Sequence, residues 1–186
     1  MLLNWVDRQA WTNAIIAGIK GVDDETLART AAMIARSSLV LTAGNGGSSA
    51  IASHAAQAFM KPSYQAGGGH AALCLNDNVP TLTAHANDGG WTEALGETAQ
   101  PFFKLKPLLL LVSSSGRSKN IVHLAHAARA ASCEIIAFTG FQGGALRGLA
   151  TLSIHIDSDD YEVIEPAHDA LLHRVQFHLR THTNPS

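Results

Sequence analysis

Residues 38–60 read SLVLTAGNGGSSAIASHAAQAFM, and their pattern indicates the fold class. The run Ser38 to Thr42 is short and apolar, which is typical of a buried strand. The glycine-rich segment Ala43 to Gly47 ends that strand, and the Ala-rich segment Ser48 to Met60 favours a helix. The stretch therefore predicts a strand, a tight loop and a helix in succession.

The same order of elements returns later in the chain. Two more predicted strands are followed by the loops Ser113 to Ser118 and Gly140 to Gly144, and an Ala-rich helix runs on to about Ala131. Strands that alternate with helices imply right-handed crossovers and a parallel sheet covered on both faces. We expect a three-layer α/β/α domain with about five parallel strands in a flavodoxin-like arrangement. The predicted strands are residues 38–42, 71–75, 108–112, 134–139 and 151–156.

Helices are predicted at both ends of the chain. Apolar residues recur at helical spacing from Leu2 to Ile19, and Asp23 or Asp24 caps a second helix that runs to about Arg36. A final helix is expected from Pro166 to about His182, with the proline in its first turn. The segment between the second and third strands is expected to be rich in loops. No linker divides the chain, so we expect one domain, residues 1–186, that begins with a helical hairpin at residues 1–36.

Composition excludes several classes of function. The chain has 186 residues, 46% of them hydrophobic, and a formal net charge of -2. Nonspecific binding to nucleic acid or to an anionic membrane needs clustered Lys and Arg, so no direct nucleic-acid partner is expected. No apolar run approaches the length that spans a membrane, and the N-terminus does not resemble a signal peptide. We expect a cytoplasmic protein.

Two polar loops are candidates for binding phosphate. Ligands of parallel sheets bind beyond the carboxyl ends of the strands, where helix N-termini present N–H groups and the positive end of the helix dipole. The loops Gly44 to Ser49 and Ser113 to Ser118 both fall there and offer glycines and hydroxyl groups. Ordinary turns and serine caps are the alternative interpretation. Neither loop has the Walker pattern or the dinucleotide pattern Gly-x-Gly-x-x-Gly, so nucleotide hydrolysis and hydride transfer are disfavoured.

Three segments together resemble the sugar isomerase (SIS) domain, and specifically its phosphoheptose isomerase branch. They are GNGGSSAIASHAAQ at residues 44–57, SSSGRS at 113–118 and AFTGFQGGALRGLA at 137–150. The resemblance implies interconversion of sedoheptulose 7-phosphate with a heptose 7-phosphate through an enediol. It also implies a homotetramer with shared active sites. The hairpin at residues 1–36 is expected to take part in oligomerisation, because it is more apolar than a small α/β sheet needs. The residues that the resemblance assigns to the bound phosphosugar are Asn45, Gly46, Gly47, Ser48, Asn87, Asp88, Ser113, Ser114, Ser115 and Ser118.

The chain departs from the family at the position of a catalytic carboxylate. In the isomerases a His on the helix after the glycine loop is followed four residues later by a Glu, whereas here His54 is followed by Ala58. Moving a proton between adjacent carbons requires a base and a group that stabilises the oxyanion. Glu165 stands where the family has a Gln, and His173 matches the family's catalytic or metal-binding His. We therefore expect Glu165 and His173 to be the catalytic residues.

The same residues form a candidate metal site. Glu165, Asp169 and His173 lie within about 80° of one another on a helix. With His54 they offer two imidazoles and a carboxylate, which suit zinc or a similar divalent ion. We expect His54, Glu165 and His173 as ligands, with Asp169 as a weaker one. A solvated helix face is the alternative interpretation.

Ala58 also favours a different class of function. A noncatalytic SIS-fold protein, one that binds a phosphosugar or the bacterial replication initiator, would not need the missing Glu. Both hypotheses share the phosphate loops, so activity on a heptose phosphate separates them.

Overall fold

The computed structural model of the chain describes residues 7–61 and 69–182, without the side chains of 181 and 182. In these ranges five strands form one parallel sheet with the order β2-β1-β3-β4-β5. The predicted fold class and strand number are confirmed. The strands are β1 Val40–Ala43, β2 Ala72–Cys74, β3 Leu108–Val112, β4 Ile135–Thr139 and β5 Leu152–His155.

Helices cover both faces of the sheet. The helices are α1 Arg8–Lys20, α2 Asp24–Ala35, α3 Gly47–Met60, α4 Val79–Asp88, α5 Trp91–Ala99, α6 Lys119–Ala130, α7 Gly144–Leu149 and α8 Tyr161–His182, with a 3-10 helix at Gln100–Leu105. The expectation of a loop-rich segment between β2 and β3 is wrong, because α4, α5 and the 3-10 helix lie there. Their apolar residues Leu82, Leu95 and Phe103 supply buried contacts to one side of the sheet.

Two hydrophobic cores lie on opposite faces of the sheet. Alternate residues of β3 divide between them: Leu110 packs with α2, α3 and α8, whereas Leu109 and Leu111 pack with α4 to α7. All five β3 side chains are buried, which explains why the strand reads as an unbroken apolar run. Each buried Leu contributes about 2 kcal/mol of transfer free energy to this packing.

The last helix starts earlier than the sequence predicts. α8 begins at Tyr161, so Pro166 lies inside it rather than in its first turn. A proline has no N–H and leaves the carbonyl of Glu162, four residues back, without its helical partner. The indole Nε1 of Trp11 donates to that carbonyl at 3.0 Å. A side chain from α1 therefore replaces the hydrogen bond that Pro166 removes from α8.

The N-terminal hairpin packs on the same helix. Both α1 and α2 contact α8, and Asp23 caps α2 by accepting from the N–H of Thr26 at 2.6 Å. The first part of the predicted helix, including Leu2, lies outside the described residues. No helix in the described ranges combines the length and the apolar character needed to cross a lipid bilayer.

Candidate active site

A cavity of about 290 Å³ opens at the carboxyl ends of β1 and β3. The chain runs outward in opposite directions from these two neighbouring strands, β1 leading to β2 and β3 leading to β4. Such a switch point is where ligands bind in open parallel sheets. Both predicted phosphate loops contribute to its wall. The lining residues are Asn45, Gly46, Gly47, Ser48, Val112, Ser113, Ser114, Ser115, Ser118, Tyr161 and Glu165.

The two helices that start at the cavity have no side-chain cap among the described residues. Gly46, which precedes α3, has no side chain, and the Ser118 hydroxyl, which precedes α6, does not accept from that helix. By contrast α1, α2 and α4 are capped by the side chains of Asp7, Asp23 and Asn78. In the described residues the first two N–H groups of each helix, at positions 47 and 48 of α3 and 119 and 120 of α6, are left for another acceptor, whereas those of Ser49 and Ile121 are already paired. Free N–H groups at a helix start are the arrangement of an anion site.

The serine loop does not behave as a plain helix cap. The hydroxyl of Ser118 accepts from the hydroxyl of Ser113 at 3.3 Å instead of accepting from an N–H of α6. The Ser114 hydroxyl is buried and has no hydrogen-bond partner within the described part of the chain. An unpaired buried hydroxyl is unfavourable unless a ligand or water pairs with it. Hydroxyl groups on a cavity wall therefore favour the phosphate interpretation over the serine cap.

Two asparagines that the sequence analysis missed hold the loops in place. The Asn120 amide of α6 exchanges hydrogen bonds with the Asn45 amide, at 2.8 and 2.9 Å, and so joins the glycine loop to the helix that follows the serine loop. The Asn76 side chain accepts from the N–H of Gly44 at 3.1 Å and donates to its carbonyl at 2.9 Å. Asn76 follows β2, and Asn120 follows the serine loop after β3. Their position just beyond the ends of parallel strands is the one signal in the sequence that could have identified them.

Two residues of α8, one turn apart, complete the cavity wall. Tyr161 lies with its ring centroid 4.9 Å from that of Phe141. Glu165 lies against the start of α3, because a Cβ added to Gly47 would be 2.3 Å from its Oε2 and 2.9 Å from its Oε1. Burial, and to a lesser degree the Glu162 carboxylate, raises the pKa of Glu165.

A second group of polar side chains lies farther along the same two helices. Potential ligand atoms of His54, Asp169 and His173 all lie within 4.8 Å of one another. The Nδ1 of His54 lies 2.9 Å from Oδ1 of Asp169, and the rings of His54 and His173 meet edge to face with centroids 5.0 Å apart. A neutral His54 that donates from Nδ1 to Asp169 keeps Nε2 as the basic nitrogen.

The structure does not bring Glu165 into this group. The expected set was His54, Glu165 and His173, but the carboxylate between the two histidines belongs to Asp169. Glu165 precedes Asp169 by one turn of α8, about 6 Å along the axis, and this places it beside Gly47. Ala58 is buried and its carbonyl accepts from Gln176 of α8 at 3.2 Å, so the position of the family's Glu is packed against α8.

The cavity and the histidine group share one side of the α3/α8 pair. Gly47 and His54 are seven residues apart, which returns a helix to the same face about 10 Å along its axis. The order along α8 is the same, since Glu165 lies beside Gly47 and Asp169 lies beside His54. A ligand with its anion at the start of α3 would therefore extend toward the histidines.

Asn87 and Asp88 lie elsewhere. Both are exposed at the end of α4, where the Asn87 amide donates to the Asp88 carboxylate at 3.0 Å. Neither lines the cavity.

The donor chemistry of the histidine group fits a divalent ion. Two imidazoles and one carboxylate form a common three-ligand set for zinc, with room for a further ligand from solvent or substrate. His54, Asp169 and His173 are the described residues that would hold such an ion.

Comparisons with known proteins agree in family and in fold. The SIS domain family profile matches residues 14–140. A probable phosphoheptose isomerase of Thermoplasma acidophilum is 30% identical over 171 residues, which are 90% of each chain. The phosphoheptose isomerase of Thiobacillus denitrificans is 36% identical over 149 residues, covering 80% of this chain and 72% of that protein. A phosphoheptose isomerase structure from Francisella tularensis, 23% identical, superposes with a TM-score of 0.84 over 96% of this chain and all of that one.

Proposed function

The chain belongs to the SIS domain family, in its phosphoheptose isomerase branch, and we propose that it interconverts an aldose phosphate and a ketose phosphate. Relatives named phosphoheptose isomerase make a heptose phosphate the first choice of substrate, and the family resemblance makes sedoheptulose 7-phosphate the ketose. The observation that carries the proposal is the shared face of α3 and α8, with an anion cavity at one end and a histidine–carboxylate group about 10 Å away. That separation is comparable to the extended carbon chain of a heptose phosphate.

The phosphate is held at the two uncapped helix N-termini. Ser48, Ser113, Ser115 and Ser118 supply hydroxyl groups, and the N–H groups that open α3 and α6 supply the dipole. Each charge-assisted hydrogen bond contributes about 1.5 to 3 kcal/mol to binding. The Asn45–Asn120 amide pair keeps the two loops at a fixed separation.

Proton transfer takes place at the other end of the ligand. Aldose–ketose isomerisation removes a proton from the carbon beside the carbonyl and returns it to the former carbonyl carbon. His54 is oriented for this role because Asp169 fixes its tautomer, and His173 lies beside it. Either ring can take the carbon-bound proton while the other donates to the enediolate oxygen. In the alternative in which His54, Asp169 and His173 hold a divalent ion, the two imidazoles would be ligands rather than acid and base, and the ion would supply Lewis-acid stabilisation of that oxygen.

The proposal includes a homotetramer, as the family resemblance implies, and a cytoplasmic location, which the sequence favours. Supporting it, none of the described residues of α1 is buried within the single chain, and Ile16 is exposed on that helix. Apolar surface of this kind is typical of contacts between subunits. Light scattering at micromolar concentration should report four chains, and a monomer would contradict the assembly.

The decisive experiment is NMR observation of sedoheptulose 7-phosphate incubated with the purified protein. We expect the aldose resonances to appear, Asp169→Asn to lower kcat at least 100-fold, and Ser115→Ala chiefly to raise KM. Glu162→Gln, an exposed charge change on the same helix as Asp169, is the control and should leave both constants unchanged. Tight binding without turnover of any heptose or related sugar phosphate would instead support the noncatalytic function that Ala58 favours.

A further inference from the structure

The turn between β2 and α4 contacts the glycine loop through one side chain, that of Asn76. The ladder between β1 and β2 ends with a hydrogen bond from the Leu75 N–H to the Thr42 carbonyl at 2.9 Å. The chain then turns away, since the N–H of Asp77 donates back to the last residue of β2 at 3.2 Å. The described ladder therefore stops short of Gly44, the residue that follows β1.

The Asn76 carboxamide takes the place of a continued β2. Its Oδ1 accepts from the Gly44 N–H at 3.1 Å, and its Nδ2 donates to the Gly44 carbonyl at 2.9 Å. Gly44 faces the β2 side because Thr42, two residues earlier, pairs with that strand. One side chain thus pairs the two main-chain groups that the next ladder bonds would have paired. Asn76 itself is partly buried and does not line the cavity.

The position of Gly44 fixes the start of α3, because the two are in direct contact. A Cβ added to Gly44 would lie 2.3 Å from the Ser48 carbonyl oxygen and 2.8 Å from the Ser49 nitrogen. This is the turn of α3 whose N–H groups at positions 47 and 48 have no acceptor among the described residues. A displacement of Gly44 would therefore move the N–H groups that are offered to the anion.

The same turn also contacts α3 farther along its length. The Ser53 hydroxyl donates to the Asp77 carboxylate at 3.0 Å. Adjacent residues, Asn76 and Asp77, thus hold the loop before α3 and the helix itself. The separation between Gly44 and α3 is fixed from outside the cavity.

We propose that Asn76 is a positioning residue for the phosphate site, which it orders through Gly44 without touching the ligand. The inference rests on the proposed function, because that function assigns the start of α3 to the phosphate. A backbone N–H binds an anion well only when it is directed at it. A loop that is held before the ligand arrives spares the ligand the cost of ordering it. Loss of the carboxamide should weaken binding at α3 and leave the serine loop in place.

The test measures ligand affinity and turnover in Asn76→Leu, a substitution of similar volume that makes neither hydrogen bond. Calorimetry would give the Kd of sorbitol 6-phosphate, which has no carbonyl group and cannot be isomerised. We expect this Kd to rise at least 10-fold. With saturating sedoheptulose 7-phosphate, kcat should fall less than 3-fold, because the histidine group is untouched. Asn76→Ser keeps a hydroxyl and leaves room for water, so its Kd should lie between the two, and it decides the test if Asn76→Leu does not fold.

Asn78→Ala is the matched control. It removes the same side chain from the same turn, but Asn78 accepts from the Thr81 N–H at 3.2 Å at the start of α4 and does not contact Gly44. Its Kd should equal that of wild type. An equal loss of affinity in Asn78→Ala would overturn the inference, since any loosening of the turn would then have the same effect. A wild-type Kd in the Asn76 variants would overturn it as well, and would leave Asn76 a structural role only.

Double substitutions show whether Asn76 acts through α3. Combined with Ser48→Ala, at the start of α3, Asn76→Leu should weaken binding less than the product of the two single effects, because both changes affect the same contact with the phosphate. Combined with Ser115→Ala, in the serine loop, the effects should multiply. Multiplication in both pairs would contradict an action through α3. If wild type did not bind sorbitol 6-phosphate at all, the proposed function would fall together with the inference, whereas equal Kd values in proteins that bind it would remove the inference alone.

Discussion

Acidification should destabilise the protein through one buried histidine, His168. Its side chain is fully buried on the sheet-facing side of α8, where Nε2 donates to the Thr139 carbonyl at 3.1 Å. The Nδ1 atom is buried with no partner in the described ranges, and the Phe138 ring packs edge to face on the imidazole. Burial lowers the pKa of His168 to about 4, and repulsion from His155 adds to the effect.

The size of the effect follows from the difference between the folded and unfolded pKa values. Between about pH 6.5 and pH 4 the unfolded chain binds a proton at this position that the folded chain does not. The free energy of unfolding therefore falls as the pH falls. A difference of about 2.5 pKa units corresponds to about 3 kcal/mol, lost progressively across that interval. This is a substantial part of the 5 to 15 kcal/mol that stabilises a typical domain.

Urea unfolding at pH 7, 6, 5 and 4 would measure the loss. His168→Gln keeps a donor for the Thr139 carbonyl but does not titrate, so its stability should depend less on pH, by about 3 kcal/mol over the interval. His126→Gln, at an exposed position on α6, should follow wild type. Parallel curves for wild type and His168→Gln would refute the assignment of the pH dependence to this residue.

Two other substitutions test how the loops and helices are held. Gly116→Ala places a Cβ 1.9 Å from the Gly143 carbonyl oxygen, at a φ of +62° that disfavours any residue but glycine. The free energy of unfolding measured in urea should therefore fall by about 3 kcal/mol or more. Gly148→Ala, with open space around the added Cβ, is the control and should be nearly neutral. Trp11→Phe removes the donor to the Glu162 carbonyl that Pro166 leaves unpaired, so the free energy of unfolding should fall by about 1 to 2 kcal/mol; an unchanged value would mean that water replaces the indole.

The sheet could be predicted from the sequence because buried parallel strands are continuous apolar runs. The predicted strand Leu108 to Val112 matches β3 at both ends, and the others agree within two residues. The position of the phosphate loops followed from the same pattern, since all parallel strands end at one edge of the sheet. Contacts between residues that are far apart in the sequence leave no such pattern in it. The Asn45–Asn120 pair joins residues 75 positions apart, and although the glycine loop marks Asn45, nothing in the sequence marks Asn120 as its partner.

The predicted start of α8 was wrong because a long-range contact overrode the local preference of proline for the first turn of a helix. Pro166 favours the first turn of a helix when nothing else satisfies the carbonyl four residues before it. Trp11 satisfies that carbonyl from α1, so the helix extends five residues further toward its N-terminus. That extension is what brings Tyr161 to the phosphate cavity.

The choice between the carboxylates of Glu165 and Asp169 depends on the packing of two helices. On α8 alone the two residues lie on one face, so helical geometry gives no reason to assign either to the histidines. The register against α3 separates them, because Asp169 meets His54 while Glu165 meets Gly47. A side chain at position 47 would collide with the Glu165 carboxylate, so the glycine permits this approach. With Asp169 beside His54, a carboxylate remains next to the histidines although α3 has Ala58 in place of the family's Glu.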